Sequence, residues 1–381
     1  MPVHRVRSPR ARSRALTTLT LAAVAVVAAV SSAHSILGTP QAGQSAPGAA
    51  STGPIVIEGP FTHDNLAVYV IRGAANDRRA YITLDQGLAA RSVEVREKGA
   101  AEGRDQSTVN SVEVENKSDK WLFLHAGDIV KGGKQDRTIM TDVLLAPHSK
   151  PQAIEAFCVE RGRWTPAQDG LAFKANPGIV AGTSLKRSIQ SEKNQQRVWQ
   201  EVARTETRAA TVAVAGLAEA PGAAVASPQA LSRTGTYNAI AENTAVNGGR
   251  TAYVNALLSS IRRHKDAVGL AVAINGRITA ADVYTSPGLF EALSTKLLES
   301  YALEALLTRE RAQPAAPPSK PQVTTFLANA ALPSGSTEAV GGSMRRTTRE
   351  NDDAVMYEYA HAATPEARDA AVLHRSYLKK N

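Results

Sequence analysis

The stretch Trp121–Trp164, WLFLHAGDIVKGGKQDRTIMTDVLLAPHSKPQAIEAFCVERGRW, decides how the fold is organised. It contains the only cysteine of the chain and two of the three tryptophans. Because the connections between its apolar runs are too short to cross over between parallel strands, they predict an antiparallel meander. The runs alternate with polar turns, which predicts four strands: Trp121–His125, Ile129–Lys131, Thr138–Leu145 and Ala153–Glu160.

The sequence before this stretch also has a β pattern, whereas helices are predicted after it. Short apolar runs separated by Gly, Asn and Asp predict strands between Ile55 and Val114. Apolar residues at helical spacing predict one helix over Ser188–Ala209 and another near Thr251. The pair Ser286–Pro287 predicts a third helix, with serine as N-cap and proline at the first helical position.

The clearest hairpin signal lies between the second and third helices. Two apolar runs, Val268–Ile274 and Arg277–Tyr284, are joined by Asn275–Gly276, which supplies the positive φ angles of a type I′ turn. Glycine and alanine share one face of the first run, so we expect a helix to pack closely there. A final β section is predicted over 354–359 and 371–377. These elements predict an α+β fold, a largely antiparallel β-sheet meander with about three packed helices.

The N-terminus has the three-part pattern of a secretory signal. Arginines without any acidic residue precede the apolar run Leu16–Val30, and the small residues Ser31–Ala33 follow it. We therefore expect a signal peptide over 1–33, a flexible Ala-, Gly- and Ser-rich tether over 34–54 and one domain over 55–381, with mobile loops near 210–235 and 312–322. This predicts a bacterial protein that is periplasmic or secreted. The alternative is an uncleaved segment, which would be the only contact with the membrane.

Composition narrows the class of protein. Hydrophobic residues make up 43% of the chain, enough for a substantial core. The net charge is +9, but five arginines lie among the first fifteen residues, so the domain itself is only weakly basic and a nucleic-acid partner is not expected. A single cysteine excludes an internal disulfide.

The segment from Gly127 to Gln135, GDIVKGGKQ, superficially matches a phosphate-binding loop. An extra glycine changes the spacing, Gln135 stands where Ser or Thr holds magnesium, and a strand is predicted where the loop requires a helix. A nucleotide site is therefore rejected. Lys131, Lys134 and Arg137 could still form an anion-binding turn, and the alternative is a solvated hairpin tip.

The segment Cys158–Arg163, CVERGR, has a cysteine and an arginine separated by four residues, whereas tyrosine phosphatases require five. Because Cys158 lies within a predicted strand, a buried structural thiol is favoured. Glu160 faces the same side of that strand as Cys158, and we expect Arg137 or Lys134 to be its basic partner. A structural ion pair and a ligand site remain equally open for this group.

Metal and cofactor chemistry is not expected from spacing. The six histidines of the domain lack the close pairs of zinc sites: His63, His125, His148, His264, His361 and His374. Hydrolase, kinase and dinucleotide signatures are also missing from the sequence.

Several of these segments together resemble the family of ARG-and-rhodanese-phosphatase-associated protein domains. The resemblance rests on residues 126–137, AGDIVKGGKQDR, on Cys158–Glu160 and on Gly162–Trp164, with weaker likeness over 197–199, 268–276 and 300–302. It covers roughly residues 55–381. It implies no known activity, but it draws attention to five residues: Lys134, Gln135, Arg137, Glu160 and Trp164.

The sequence thus predicts a non-catalytic binding or interaction module with a polar site at this turn and strand end. The expected partner is an anionic small molecule or a component of the cell envelope. One alternative is a hydrolase with Glu160 as general base, and another is a purely structural envelope protein. The expected ligand-binding residues are Lys131, Lys134, Gln135, Arg137, Glu160, Arg163 and Trp164.

Overall fold

A computed structural model describes residues 55–74, 77–167, 170–219, 235–310, 315–362 and 371–380. The expected signal peptide and tether lie outside these ranges. The described part contains seven α-helices, more than the three or so that the sequence predicts. They are α1 Leu84–Ala89, α2 Thr183–Arg187, α3 Gln195–Glu219, α4 Tyr237–Glu242, α5 Thr244–Arg262, α6 Pro287–Leu307 and α7 Lys320–Ala331.

The same ranges contain seventeen strands, which form three mostly antiparallel sheets and confirm the α+β class. The strands of the first half are β1 Val56–His63, β2 Leu66–Arg72, β3 Tyr81–Thr83, β4 Val93–Glu97, β5 Ser111–Asn116, β6 Trp121–Leu124, β7 Asp128–Gly132, β8 Arg137–Ile139 and β9 Val143–Leu145. Those of the second half are β10 Ser149–Cys158, β11 Phe173–Val180, β12 Ala267–Ile274, β13 Arg277–Tyr284, β14 Ser336–Val340, β15 Met344–Glu350, β16 Ala354–His361 and β17 Ala371–Lys379.

An eight-stranded sheet has the order β1-β2-β12-β13-β17-β16-β15-β14. The predicted hairpin β12–β13 lies within it, and both turn residues have positive φ angles, 51° at Asn275 and 73° at Gly276. Helices α5 and α6 pack on one face of the sheet. Helix α7 packs on the other face, where its Val323 and Leu327 belong to the same buried apolar cluster as Ala271 and Ala273 of β12. This confirms that the alanine face of the hairpin receives a helix.

Helix α6 begins where the sequence predicts. Ser286 is its N-cap, and the serine hydroxyl accepts a hydrogen bond from the amide of Leu289 at 3.2 Å. Proline at the first helical position needs no amide partner, so the pair fixes the start of the helix. The helix is buried along most of its length between the eight-stranded sheet and α3.

The predicted four-strand meander forms only in part: β7, β8 and β10 are consecutive antiparallel neighbours, but β6 does not join them. Strand β6 pairs with β3 in parallel and with β9 antiparallel, while β7 and β8 belong to a separate sheet with the order β11-β7-β8-β10-β5-β4. The predicted strand Thr138–Leu145 is broken into β8 and β9 just before Val143. The cause lies at buried Asp142, whose carboxylate accepts the amide of Ala126 at 2.8 Å and so turns the chain from one sheet to the other.

The helical region also departs from the prediction. The expected helix Ser188–Ala209 is divided into a π-helical turn over Ser188–Glu192, which follows directly on α2, and α3, which begins at Gln195. Helix α3 continues to Glu219, although the composition of residues 210–219 favoured a loop, because alanine is a strong helix former. Helix α7 likewise begins inside the expected loop at 312–322, with Ser319 and Gln322 forming a capping box. None of the helices in the described ranges has the length and apolar character needed to cross a membrane.

Candidate functional site

The turn between β7 and β8 lies directly beside the chain that follows β10. The amide of Asp136 donates a hydrogen bond to Glu160 Oε2 at 3.1 Å. The guanidinium of Arg163 donates to the carbonyl of Gly133 at 2.7 Å and to that of Gly132 at 3.2 Å. The two segments that the sequence singled out are therefore in contact.

The two glycines shape this turn. Gly132 and Gly133 have φ angles of +130° and +52°, a region that favours glycine. A Cβ atom on Gly133 would lie 2.3 Å from Phe173 Cζ, so a side chain there would collide with β11. The turn is thus packed against its neighbouring strand and is not a free hairpin tip.

Arg137 lies inside the protein, with a fully buried side chain paired to the equally buried Glu97 at 3.0 Å. Its guanidinium also donates to the carbonyl of Gln135 at 3.0 Å and to Cys158 Sγ at 2.9 Å. Burial raises the pKa of Cys158 to about 11, which outweighs the opposite effect of Arg137. The thiol is therefore protonated at neutral pH, as the interpretation as a structural cysteine requires.

The partner of Glu160 differs from the expectation that named Arg137 or Lys134. Arg163 binds the Glu160 carboxylate through Nη2 at 2.7 Å and through Nε at 3.0 Å to the other oxygen. Arg137 is unable to serve because Glu97, forty residues upstream, holds it. Both oxygens of Glu160 are engaged, so the carboxylate has little capacity left to take a proton from a water molecule.

Asp136 joins this network to a third segment. Its carboxylate is buried and accepts the amide of Gly132 at 2.9 Å, the hydroxyl of Thr236 at 2.7 Å and the side-chain amide of Asn238 at 2.5 Å. The segment leading into α4 is thereby fixed against the turn. Thr236 and Asn238 were not singled out from the sequence, because their contact with Asp136 spans about a hundred residues.

The surface of the site is formed by Trp164. Its indole is 44% exposed, and two cations lie over the ring, Lys134 Nζ at 5.3 Å and the Arg137 guanidinium at 5.6 Å from the centroid. Lys134 also pairs with Asp105 at 2.8 Å. The indole is thus held at a fixed orientation with part of its surface facing solvent.

The remaining two expected residues have different positions. Lys131 is exposed and pairs with Glu242. Gln135 is buried, its amide nitrogen contacts the carbonyl of Arg161 at 3.5 Å, and its Oε1 has no hydrogen-bond partner among the described residues. The seven expected residues therefore fall into a buried ionic network and a small exposed surface around Trp164.

The family assignment can now be compared with this geometry. The sequence profile of the ARG and Rhodanese-Phosphatase-superfamily-associated Protein domain matches residues 54–378. The chain belongs to this family. The match includes the turn, the strand end and all seventeen strands but the last residue of β17. No curated protein and no solved structure matches the chain. Membership in the ARG- and rhodanese-phosphatase-associated family therefore fixes the extent of the domain and assigns no reaction.

A second polar group in this family member was missed from the sequence. His125, Asp142, Asp282 and His374 are all completely buried, and the two histidine rings lie 5.1 Å apart. The spacing of histidines along the chain gave no signal, because β6 and β17 are brought together only by the tertiary fold. The expectation that the histidines do not cluster was therefore wrong for this pair.

The charges of this buried group are balanced by contacts within it. Asp142 binds His374 Nδ1 at 2.5 Å, and Asp282 lies 3.2 Å from His374 Nε2 and 3.7 Å from the Lys186 ammonium. Burial alone would lower the pKa of His374, but the two carboxylates outweigh it and raise this pKa to about 9. Burial, with the charge of Lys186, lowers the pKa of His125 to about 3, so this ring is neutral.

A cleft of about 720 Å³ lies apart from both groups, between the C-terminal part of α6 and α7. Among its lining residues are Arg187, Asn275, Gln322 and Lys380, and no expected site residue is among the described ones. The cleft is therefore a separate feature, and substitution of Arg187 tests whether a ligand binds there.

Proposed function

We propose that this chain is an exported, non-catalytic binding module that holds its ligand against the exposed face of Trp164. Export rests on the N-terminal signal pattern. The main support for the binding site is the half-exposed indole of Trp164. Two cations lie over its ring, and each of them is paired with a carboxylate. A pre-oriented aromatic surface loses little conformational entropy on binding.

The charge pattern favours one of the two partners suggested by the sequence. Four cations of the turn and strand end have an acidic partner within the protein, namely Glu242 for Lys131, Asp105 for Lys134, Glu97 for Arg137 and Glu160 for Arg163. Arg161, a further cation of the strand end, lies over the ring of Trp199 at 5.9 Å from the centroid. An anionic small molecule bound by any of the four paired cations would have to displace a carboxylate. A neutral ligand with a flat apolar face needs no such exchange, which favours an envelope saccharide whose ring stacks on the indole.

The hydrolase alternative is less well supported. A general base must approach the water that it deprotonates, whereas Glu160 is engaged by Arg163 and by the amide of Asp136. The buried pair of Arg137 and Glu97 fits a structural role, and such a role is compatible with binding on the surface above it.

The experiment measures binding of soluble bacterial cell-wall oligosaccharides to the purified protein by isothermal titration calorimetry. We expect Trp164→Ala to weaken binding at least tenfold, because the stacking surface is removed. Leu332→Ala is the matched control, since this exposed apolar residue lies on a different part of the surface, at 78% exposure. Glu160→Gln should keep the affinity, and the wild type should leave the oligosaccharides uncleaved.

The opposite pattern would overturn the proposal. Binding that survives Trp164→Ala but is lost in Arg187→Ala would move the site to the cleft. Cleavage of the oligosaccharide by the wild type and its loss in Glu160→Gln would establish the hydrolase instead. Failure of every oligosaccharide to bind would remove the saccharide assignment.

A further inference from the structure

The buried group around His125 contains a polar atom that its surroundings do not satisfy. His125 Nδ1 lies 2.7 Å from the carbonyl of Ala126, which places the hydrogen of the neutral ring on Nδ1. The other nitrogen, Nε2, therefore carries a lone pair. It is completely buried and has no hydrogen-bond partner among the described residues. An unpaired buried acceptor of this kind is costly and calls for a ligand.

The lone pair of His125 points at another acceptor. Asp282 Oδ1 lies 3.9 Å from His125 Nε2, a separation at which two acceptors gain nothing from each other. The hydroxyl of Tyr284, on the same strand as Asp282, also has no hydrogen-bond partner among the described residues. The ring of Tyr284 stacks on that of His374 with 4.2 Å between the centroids, so both unsatisfied atoms belong to the group that contains Asp142 and Asp282.

From this arrangement we infer a structural site for a divalent transition-metal ion of the zinc type, coordinated by His125 Nε2, His374 Nε2 and Asp282 Oδ1. The ion takes the place of the proton that otherwise lies between His374 and Asp282. Two imidazoles and a carboxylate form a donor set typical of zinc.

The distances suit this coordination. For bonds of about 2.0–2.2 Å, the ligand atoms of a tetrahedral zinc ion lie about 3.4 Å apart. His374 Nε2 lies 3.2 Å from Asp282 Oδ1, and His125 Nε2 lies 3.9 Å from the same oxygen. A shift of His125 by about half an ångström brings its Nε2 to this separation from Asp282 Oδ1. A different set, His125, Asp142 and His374, also has one candidate ligand atom from each residue within 4.8 Å of the others, but Asp142 already binds His374 Nδ1 at 2.5 Å and is assigned to orienting that ring.

The residues behind the ligands support the same assignment. Metal-bound histidines usually donate their second N–H to a carboxylate or a backbone carbonyl, which orients the ring. His374 has Asp142 at 2.5 Å in this position, and His125 has the carbonyl of Ala126. Asp282 is held in turn by the hydroxyls of Tyr301, at 2.6 Å to Oδ2, and Ser376, at 3.0 Å to Oδ1. Lys186 contacts Oδ2, the oxygen that is not assigned to the metal.

Complete burial favours a structural role for the site. The three named ligands leave the fourth tetrahedral position inside the protein, and because all three ligands are inaccessible to solvent, substrate has no access to that position. His125 follows β6 of the three-stranded sheet, while Asp282 and His374 belong to β13 and β17 of the eight-stranded sheet. The ion would therefore fasten one sheet to the other.

The test measures metal content and thermal stability of the purified protein. After treatment with a chelator, exposure to Zn²⁺ and removal of free metal, we expect close to one zinc per chain and a melting temperature several degrees above that of the chelator-treated protein. Mg²⁺ and Ca²⁺ should give no such increase, because they prefer oxygen ligands. His125→Gln should lose the retained zinc. His148→Gln should keep it, since His148 forms an exposed pair with Asp119 that could hold zinc only adventitiously.

Two results would overturn the inference. Folded wild-type protein that retains no zinc and melts at the same temperature with and without chelator would contain only a hydrogen-bonded network here. Equal zinc retention by the wild type and His125→Gln would place the metal elsewhere. If His125→Gln does not fold, Co²⁺ decides on the wild type: visible absorption bands of four-coordinate cobalt support the site, and their absence rejects it.

Discussion

Replacing Arg137 by methionine tests whether this residue supports the fold or contacts the ligand. Arg137→Met keeps most of the side-chain volume but leaves Glu97 buried with only the amide of Lys134 as a polar partner, at 2.8 Å. Both charged side chains are completely buried in the native protein. Removing one partner of such a pair typically costs about 3–5 kcal/mol of the free energy of unfolding. We expect a loss in this range for Arg137→Met.

A control variant shows whether the loss of stability in Arg137→Met comes from the burial of the ion pair or would follow the removal of any cation near the turn. Lys131→Met removes the ion pair of Lys131 with Glu242, in which both side chains are about half exposed, and it should cost less than about 1 kcal/mol. Adding Glu97→Gln to Arg137→Met removes the unpaired charge, so the double variant should recover at least half of the lost stability.

The measurement is urea unfolding followed by far-ultraviolet circular dichroism, with midpoints compared at a common slope. Equal losses for Arg137→Met and Lys131→Met would contradict the argument from burial. A double variant no more stable than Arg137→Met alone would show that the charge of Glu97 is not the cause. In either case Arg137 would again be a candidate ligand-binding residue.

Two further predictions follow from groups with shifted pKa values. Cys158 should resist thiol reagents at pH 8 in the native protein and react in denaturant, because burial raises its pKa to about 11; rapid labelling of native protein would contradict this. Burial also raises the pKa of Glu206 to about 7, and one of its carboxylate oxygens has no hydrogen-bond partner among the described residues. Because the pKa of Glu206 is higher in the folded protein than in the unfolded chain, its contribution to folding stability is fully present below pH 4.5 and is lost as the pH rises through 7. Glu206→Gln should therefore match the wild type at pH 4 and exceed it by about 1 kcal/mol at pH 8 once the partial exposure is discounted, and an equal difference at both pH values would refute this.

Structural features that are determined by residues adjacent in the chain could be predicted from the sequence. The β12–β13 hairpin depends on Asn275–Gly276, and the start of α6 depends on Ser286–Pro287. In each case the residues that determine the backbone conformation are adjacent, so no knowledge of the tertiary fold is needed. The contact between the turn and the strand end was also accessible, because β8 and β10 are close neighbours in one sheet.

Features that depend on distant partners could not be predicted. The first strand of the predicted meander, β6, lies in another sheet because it pairs with β3 and β9, a choice that the lengths of the local turns do not determine. Glu160 was given the wrong basic partner because nothing in the sequence marks Glu97 as the residue that holds Arg137. The histidine pair escaped notice for the same reason, since about 250 residues separate its members in the chain.

Buried charges connect parts of the fold that strand pairing leaves separate. Arg137 and Glu97 join β8 to β4, two strands that are not neighbours in their sheet. Lys296 of α6 binds Asp85 of α1 at 2.6 Å and Asp128 of β7 at 2.8 Å, and these carboxylates raise its pKa although burial alone would lower it. Such pairs add little stability compared with apolar contacts, but losing one partner is costly, so they select one arrangement of the elements over others.

This selection also indicates where a ligand is needed. Near Trp164 the cations Lys134, Arg137 and Arg163 each have a carboxylate partner, so an additional anion would have to replace one of these contacts. Around Asp282 the polar groups are not all paired among the described residues, because the Nε2 lone pair of His125 has an acceptor at 3.9 Å and the hydroxyl of Tyr284 has no hydrogen-bond partner. A divalent cation can be coordinated by both acceptors at once. The turn therefore favours a neutral ligand on its surface, whereas the buried histidines favour a metal ion inside the fold.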